Sequence, residues 1–344
     1  MTIAHEGLGA TMAEVGGQRL PRHYGDPAGE YAAARAGAVV VDRADRIVLR
    51  VSGRDPARML QGLITNDLAG VAEGGAVYAA FLTPKGKMVA EARLLRRRDA
   101  VLVETAASAQ TGLREHLKKY VPPLFARVEE RSGLAVLGVY GPRAAELTDE
   151  VVSAAAAGSA QATSPAGGAG VSALPAADVA EDLGRDLLVP EGDVASVWEA
   201  LVARGARPAG HGTLEVLRIE AGRPRWGAEL DEGVIPLEAG LKERAISTSK
   251  GCYTGQEVII RILHRGHVNR QLRGLLLGDA PDPARGAVLT LPGQERSVGA
   301  VTSACASPLM GQTIALGYLR REIEVGAIVN VEGREARVVG LPFG

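Results

Sequence analysis

The sequence predicts an α+β fold that ends in a small antiparallel all-β domain. Three observations support this prediction. Short apolar segments with strand-like patterning recur between residues 39 and 140. Segments with helical spacing of apolar residues lie between and after them. After His267, six short apolar segments alternate with Gly/Pro turns, which is typical of a small antiparallel barrel or sandwich.

The first part of the chain has a recognisable order of elements. Alternating or continuous apolar runs predict strands at Val39–Val41, Ile47–Val51, Ala76–Leu82, Met88–Leu95, Ala100–Glu104 and Leu134–Tyr140. Helical spacing predicts helices after Asp55-Pro56, around Leu113 and Leu117, and over Val194–Ala203 and Gly212–Ala221. Residues 1–20 are Gly-rich and aperiodic, and we expect a flexible arm there. Residues 153–170 contain only small and polar residue types apart from proline, which predicts a variable loop.

The composition excludes several classes of protein. The 344 residues carry 39 Lys and Arg against 40 Asp and Glu, a net charge of -1, which argues against a nucleic-acid footprint over the whole chain. No apolar run reaches the ~18–20 residues of a membrane span, and the first residues lack the pattern of a signal peptide. Two cysteines without a CxxC pattern exclude a disulfide scaffold. We therefore expect a cytoplasmic protein that binds neither nucleic acid nor membrane.

The densest polar segment is Lys250-Gly251-Cys252-Tyr253-Thr254-Gly255-Gln256-Glu257, just before a short helical pattern. A cysteine upstream of a helix N-terminus and close to a lysine is placed where a thiolate is favoured. The alternative is a small apolar side chain packed in a loop. His264 and His267 offer two further metal-ligand types, but cations that complement a helix C-terminus explain them at least as well, and we predict no metal site.

This octet resembles the K-G-C-Y-x-G-Q-E signature of YgfZ-type folate-binding proteins. These proteins are relatives of the glycine-cleavage T-protein, an aminomethyltransferase, and they assist iron–sulfur enzymes. Further segments resemble the same superfamily, namely residues 60–67, 82–87, 217–222, 227–230, 235–241, 299–303 and 307–308. The resemblance implies two intertwined α/β subdomains over residues 21–268, with residues 50–133 inserted within the other subdomain. A β-barrel over residues 269–344 would follow them.

The resemblance also implies a tetrahydrofolate cofactor and a set of site residues. Glu220 would hold the pterin through two parallel N–H···O bonds, although a helix-end surface glutamate is the alternative. Glu238 would be a second polar contact or would organise the loop. Tyr253 would cover the pocket or belong to the core. Gln256 and Asn66 would complete the folate-binding set, and the family-specific chemistry would rest on Cys252 and Lys250.

One departure from the T-protein pattern separates the functional alternatives. The T-protein segment expected to align with Glu104–Leu113 contains an aspartate, and this sequence has none there. An amine substrate would therefore lose the carboxylate that positions or deprotonates it. We thus favour a folate-binding protein that assists iron–sulfur cluster assembly or repair, with client enzymes or assembly factors as partners. The alternatives are a folate-dependent aminomethyltransferase and a scaffold protein that no longer binds folate.

Overall fold

The computed structural model describes residues 3–129, 132–158, 170–179 and 183–343. The chain divides into two compact units. Unit 1 comprises Met1–Met59, Leu68–Val77 and Ala92–Leu214, and unit 2 comprises Leu60–Asp67, Tyr78–Glu91 and Glu215–Gly344. The predicted boundary at residue 268 therefore differs from this division, in which residues 215–268 belong with the carboxyl-terminal strands.

The helices and strands have the following bounds. The helices are α1 (Pro27–Ala36), α2 (Pro56–Gln61), α3 (Gln110–Tyr120), α4 (Ala144–Gly158), α5 (Val194–Ala203), α6 (His211–Glu220), α7 (Lys242–Ala245) and α8 (Gln256–Arg265). The strands are β1 (Thr11–Val15), β2 (Gln18–His23), β3 (Val39–Asp42), β4 (Arg46–Gly53), β5 (Ala76–Leu82), β6 (Met88–Arg96), β7 (Ala100–Ala106), β8 (Ala126–Glu129), β9 (Leu134–Tyr140), β10 (Ser172–Pro175), β11 (Gly184–Pro190), β12 (Arg207–Pro208), β13 (Arg270–Leu276), β14 (Val288–Thr290), β15 (Ser297–Ser307), β16 (Gln312–Arg320), β17 (Ile328–Val331) and β18 (Arg334–Val339).

In place of the predicted arm over residues 1–20, the structure has a 3-10 turn at His5–Leu8 and the β1–β2 hairpin. Gly16 and Gly17 form the hairpin turn with φ of 58° and 82°, a conformation that glycine adopts without strain. The His5 ring is buried and bonds the Tyr24 hydroxyl at 2.7 Å and Asp42 at 2.8 Å. Long-range side-chain bonds therefore order a segment whose sequence has no periodicity.

Two five-stranded sheets contribute residues to a core in unit 1. One sheet has the strand order β10-β11-β9-β3-β12, antiparallel except for the short β12–β3 pair. The other sheet has the order β5-β6-β7-β4-β8. Apolar residues of the second sheet, including Val48 and Leu102, pack against Val136 and Leu188 of the first sheet. The period-two patterning that predicted these strands places the packed residues on one face.

Helices α4 and α5 cover the other side of the first sheet, where Leu147, Trp198 and Leu201 pack with Val139 and Leu187. The prediction of a loop from residue 153 is wrong up to Gly158, because α4 continues to that residue. Four consecutive alanines at residues 154–157 explain the extension, since alanine has the highest helix propensity. Residues 159–169 lie outside the described residues.

The last six strands form a closed barrel in unit 2, in the order β13-β16-β15-β14-β17-β18. Pairing of β13 with β18, where Gly274 lies opposite Val339, closes the barrel. Inward-facing residues such as Leu275, Leu289 and Val329 fill its interior. The predicted fold class, α/β subdomains followed by an antiparallel β-barrel, is confirmed.

Candidate functional site

The Lys250 ammonium group binds three backbone carbonyls on the segment that follows α2. It donates to the oxygens of Gln61 at 2.6 Å, Ile64 at 2.7 Å and Asn66 at 2.9 Å. A lysine has three N–H donors, so all of them are used. Burial lowers the pKa of Lys250 to about 8, while the Asp67 carboxylate acts in the opposite direction. Lys250 thus fastens the octet segment to residues 61–66.

Asn66 extends this link between segments. Its side-chain nitrogen donates to the carbonyl oxygens of Tyr78 at 2.9 Å and Arg244 at 3.2 Å. Its side-chain oxygen accepts from the Asp67 amide at 2.9 Å. Both amide N–H donors of Asn66 are therefore used within the protein.

Cys252 is exposed on the loop between Lys250 and α8. The N-cap of α8 is Gly255, with φ of 83°, and a Cβ at this position would lie 2.6 Å from the Thr83 oxygen. The turn after Cys252 therefore requires glycine for two reasons, its left-handed backbone and the close approach of Thr83. Because the three Lys250 donors bind carbonyls, Cys252 receives no further hydrogen bond from that ammonium group.

Unlike its exposed neighbour Cys252, Tyr253 is buried and only 7% exposed. The Lys250 ammonium lies 5.2 Å from the centre of its ring, in cation–π range. Burial raises the pKa of Tyr253 to about 12. Within the described ranges, its buried hydroxyl makes no hydrogen bond. A buried hydroxyl without a hydrogen bond costs about 1–3 kcal/mol, so the hydroxyl of Tyr253 has hydrogen-bonding capacity that the described residues do not use.

Glu220 ends helix α6 and is 3% exposed, so the alternative of a surface glutamate is wrong. One carboxylate oxygen accepts from the Ser307 hydroxyl at 2.6 Å and from the Leu309 amide at 3.3 Å. The Glu220 carboxylate also affects Cys305, a residue of the barrel. Burial is the main reason that the pKa of Cys305 is raised to about 12, and the charge of Glu220 is the second. Glu220 is therefore a buried carboxylate bonded to the barrel.

A buried ion pair beside Glu220 was not predicted from the sequence. Arg218 donates to Glu229 at 2.9 Å and to the Ser303 hydroxyl at 2.7 Å, and Ser303 donates to Glu229 at 2.6 Å. The Tyr318 hydroxyl donates to the Glu229 backbone oxygen at 2.9 Å. These bonds fix the end of α6 on strands of the barrel. The signal in the sequence was an arginine two residues before Glu220, but Ser303 lies 85 positions later in the chain, and nothing local singles out Glu229 as the partner.

Glu238 organises its own loop. It is 9% exposed, and one carboxylate oxygen accepts from the Ile235 amide and from Arg270, both at 3.2 Å. The Arg270 guanidinium in turn lies 4.5 Å from the centre of the Tyr318 ring. Gln256 is half-buried at the start of α8, and its backbone N–H donates to the Tyr253 oxygen at 3.2 Å.

The predicted site residues thus fall into two groups within unit 2. Asn66, Lys250, Tyr253 and Gln256 are joined by direct bonds or ring contact, with Cys252 on the same loop. Glu220 and Glu238 are bonded to residues of the barrel. His264 and His267 are exposed. Within the described part of the chain, no group of three His, Cys, Asp or Glu side chains is arranged to hold a metal ion.

Glu104, the first residue of the segment that lacks the expected aspartate, lies in the core of unit 1 with 0% exposure. Its carboxylate bonds the Arg46 guanidinium and receives a bond of 2.7 Å from Arg93. Burial alone would raise the pKa of Glu104, but the charges of Arg46 and Arg93 lower it to about 2. Glu104 is therefore an enclosed carboxylate, ionised at neutral pH, and cannot replace a catalytic aspartate that must reach a substrate.

The same ion network, which we call the unit 1 network, continues through the core. Arg93 pairs with Asp186 at 2.6 Å, and Tyr140 donates to Asp186 at 2.7 Å. Arg43 pairs with Asp45 at 2.9 Å and with Asp178 at 2.5 Å. The network comprises Arg43, Asp45, Arg46, Arg93, Glu104, Tyr140, Asp178 and Asp186. Its three guanidinium groups pair with four carboxylates inside the core, which makes it a structural feature of unit 1.

Comparison with known proteins places this architecture in a family. The family model of the GCVT N-terminal domain matches residues 1–250, and that of the glycine cleavage T-protein C-terminal barrel domain matches residues 270–343. The aminomethyltransferase of Ralstonia pickettii (strain 12J) is 33% identical over 368 residues, which cover 100% of this chain and 96% of the relative. That of Rubrobacter xylanophilus is 31% identical over 344 residues, covering 98% of this chain and 92% of the relative.

A solved structure shows the same fold. The glycine cleavage system aminomethyltransferase T from Bartonella henselae superposes with a TM-score of 0.83 at 21% identity, covering 99% of this chain and 96% of that chain. Among the described residues, no helix has both the length and the apolar character needed to cross a membrane. Because the two family models together match almost the whole sequence, this chain belongs to the glycine cleavage T-protein family.

Proposed function

We propose that this chain binds a reduced folate in unit 2 and assists iron–sulfur cluster assembly or repair. The observation that carries the folate part of the proposal is the Glu220 carboxylate, which is 3% exposed at the end of α6. A pterin edge presents parallel N–H donors, and an ionised carboxylate accepts them with charge-assisted bonds. The family resemblance of residues 217–222 points to the same contact.

The residues present fit a folate. Glu220 offers a buried acceptor, and the Tyr253 hydroxyl is a buried polar group without a hydrogen-bond partner among the described residues. When bound, a reduced folate supplies a ring nitrogen that carries one-carbon units. Glu220 would hold the pterin edge, Tyr253 would bond an acceptor on the ligand, and Lys250 would keep the loop that carries Tyr253 in place through its three carbonyl bonds.

The iron–sulfur part of the proposal rests on the resemblance of Lys250–Glu257 to the YgfZ signature. Cys252 is exposed on that segment, as expected for a thiol that must reach a partner protein. The buried alternative, a packed small side chain, fits Cys305 instead, which is 6% exposed. Client iron–sulfur enzymes or their assembly factors would be the partners, in the cytoplasm.

Folate-dependent aminomethyl transfer is the second candidate function. The relatives named aminomethyltransferase match this chain over its whole length, and they favour this candidate more directly than cluster assembly. The segment Glu104–Leu113 argues against aminomethyl transfer. It has no aspartate, and its one carboxylate, that of Glu104, is enclosed between two arginines. We therefore expect little or no release of ammonia and methylene-folate from an aminomethyl-lipoyl carrier.

Three measurements test the proposal separately. Calorimetric titration with tetrahydrofolate under nitrogen should show saturable binding, and its absence in the folded protein would favour the scaffold without folate. Reconstitution of glycine cleavage without the ordinary T-protein should give no turnover above background. Robust turnover there would establish the aminomethyltransferase and overturn the cluster proposal. Restoration of iron–sulfur enzyme activity in a strain lacking the native gene is the positive expectation.

A further inference from the structure

A groove in unit 1 lies between helix α3 and strand β8, far in sequence from the residues proposed to bind folate. Its volume is about 660 Å³. The apolar part of its lining comes from the last turn of α3 and from β8, including Leu117, Val121 and Val128. We call this the α3–β8 groove. None of its lining residues belongs to the unit 1 network or to the residues proposed to bind folate.

Two large apolar side chains stand beside the groove. Leu124 is 89% exposed and Phe125 is 48% exposed. The turn that carries them is well fixed, because the amides of Phe125 and Ala126 both donate to the Pro122 oxygen, at 3.0 and 3.3 Å. Single exposed apolar residues are common on protein surfaces, but two adjacent ones on a fixed turn form an exposed apolar patch.

A second depression of about 560 Å³ adjoins the same turn. Phe125 lines it together with Met59 and the charged residues Arg54, Asp55 and Arg58. The Arg54 amide donates to the Phe125 oxygen at 3.2 Å, which ties this depression to the turn. Phe125 thus borders a second concave surface next to the α3–β8 groove.

The charges of this region are mainly positive. The α3–β8 groove is lined by Arg114, Lys118 and Arg127 against one carboxylate, Glu115. In the second depression, Arg54 and Arg58 stand against Asp55, and that carboxylate accepts a bond from the Arg58 amide at 3.1 Å. The whole chain carries a net charge of -1. A local excess of cations beside apolar groups therefore marks a surface that complements carboxylates.

Strand β8 also offers its backbone. It is the last strand of its sheet, and its register pairs it with β4 on one side, where Val51 lies opposite Val128 and Gly53 opposite Ala126. An edge strand presents N–H and C=O groups to which an extended segment can add. Ala126, Arg127 and Val128 of this strand line the groove.

We propose that the α3–β8 groove and the Leu124–Phe125 turn dock an extended, acidic segment of a partner protein with interspersed apolar residues. The apolar residues of the segment would enter the groove and cover Leu124 and Phe125, and its carboxylates would meet Arg114, Lys118 and Arg127. A protein partner is favoured over a membrane because the apolar and cationic groups line concave surfaces. It is favoured over nucleic acid because the groove wall is largely apolar.

The test uses the full chain and labelled synthetic peptides of about twelve residues. One peptide alternates glutamate with leucine and phenylalanine. Three control peptides each carry one kind of change. The first has glutamine in place of every glutamate, the second has lysine in place of every glutamate, and the third has serine in place of every apolar residue. In fluorescence anisotropy, the acidic apolar peptide should bind about tenfold more tightly than each control. Raising the NaCl concentration from about 50 to 300 mM should weaken it several-fold.

Variants locate the binding surface. The substitutions Lys118→Glu and Arg127→Glu together should weaken the peptide about tenfold, and Leu124→Ser, at an exposed position that tolerates the change, should weaken it several-fold. Arg296→Glu and Val288→Ser, both exposed in unit 2, are the matched controls and should have no effect. Equal binding of all four peptides would overturn the proposal, as would binding that the groove variants do not weaken.

Three rival occupants give distinct results that would also overturn the proposal. A membrane would be indicated by Leu124-dependent sedimentation with vesicles of phosphatidylserine and phosphatidylcholine. Nucleic acid would be indicated by tighter binding of single-stranded RNA than of the acidic apolar peptide. A second copy of the chain would be indicated by a dimer in sedimentation velocity that Leu124→Ser dissociates.

Discussion

The unit 1 network and the candidate site of unit 2 both bury charged groups, but they satisfy them differently. In the network, arginines and carboxylates compensate each other, and Glu104 lies between Arg46 and Arg93. In unit 2, Lys250 binds backbone carbonyls, and the Tyr253 hydroxyl is buried without a hydrogen-bond partner among the described residues. The comparison teaches that burial of a charge does not identify a binding site.

The largest expected effect is on the network. Glu104→Gln should lower the free energy of unfolding by about 3–5 kcal/mol, because two buried guanidinium groups lose their shared charge partner. Asp99→Asn, which breaks the exposed Arg50–Asp99 pair, is the control and should cost at most about 1 kcal/mol. Urea unfolding measures both. A loss below about 1 kcal/mol for Glu104→Gln would mean that the network is not compensated as described.

The same carboxylate predicts a pH dependence. Its pKa in the folded protein is about 2, below the ordinary value of 4.5. The unfolded chain therefore binds the proton more readily, and this group contributes its full stabilisation above about pH 4.5. The contribution should disappear as the pH falls from about 4.5 to about 2. Stability curves of the wild type and Glu104→Gln should converge over that range, and parallel curves would contradict the assignment.

The next effect concerns Lys250. Lys250→Met removes three charged donors from buried carbonyls and should destabilise the protein by about 2–4 kcal/mol. Amide hydrogen exchange should accelerate in residues 61–66 and 250–255. Lys242→Met, at an exposed lysine paired with Glu243, is the matched control and should cost about 0.5 kcal/mol or less. Unchanged exchange in residues 61–66 would show that the lysine does not fasten these segments.

The third effect is on folate affinity. Glu220→Gln should weaken tetrahydrofolate binding by about 1.5–3 kcal/mol, because a charge-assisted bond to the pterin is lost. This corresponds to about one to two decades in Kd. Calorimetry measures the affinity, and circular dichroism confirms the fold. Glu243→Gln, at an exposed glutamate, should bind like the wild type. Equal affinity of Glu220→Gln and Glu243→Gln would remove Glu220 from the site.

Tyr253 provides a smaller but sharper test. Tyr253→Phe removes a hydroxyl that has no partner within the described chain, so the free protein should keep its stability or gain slightly. Folate affinity should nevertheless fall by about 0.5–1.5 kcal/mol if the hydroxyl bonds the ligand. Thermal unfolding and calorimetry separate the two effects. A loss of stability together with unchanged affinity would assign the hydroxyl to the core.

The smallest expected effect on folate affinity is that of Cys252→Ser, about 0.5 kcal/mol or less, because the side chain is exposed. Limited iodoacetamide should nevertheless label Cys252 long before Cys305, whose pKa is raised to about 12. Peptide mass spectrometry measures both labelling rates. In a strain lacking the native gene, the serine variant should fail to restore iron–sulfur enzyme activity. Full restoration would remove Cys252 from the proposed chemistry.

The sequence by itself determined most of the strands, most of the helices and the barrel. These predictions rest on short-range patterns, since the period of apolar residues follows from the geometry of strands and helices. The β1–β2 hairpin, the short strands β8, β10 and β12, and the helices α1, α4 and α7 were missed. The hairpin turns on the local pair Gly16-Gly17, the 3-10 turn before it is held by the long-range bond of His5 to Asp42, and the end of α4 depends on alanine propensity in a stretch of low complexity.

The sequence also determined which segments carry chemistry, because the octet and the segment around Glu220 are contiguous motifs. Only the tertiary structure decided what their residues contact. Lys250 binds oxygens of residues 184 to 189 positions earlier in the chain, and Glu220 binds Ser307, 87 positions later. The same holds for Glu104, whose enclosure depends on Arg46 and Arg93 from two other strands. Hydrogen bonds and ion pairs form between groups that folding brings together, and no local periodicity in the sequence records those partners.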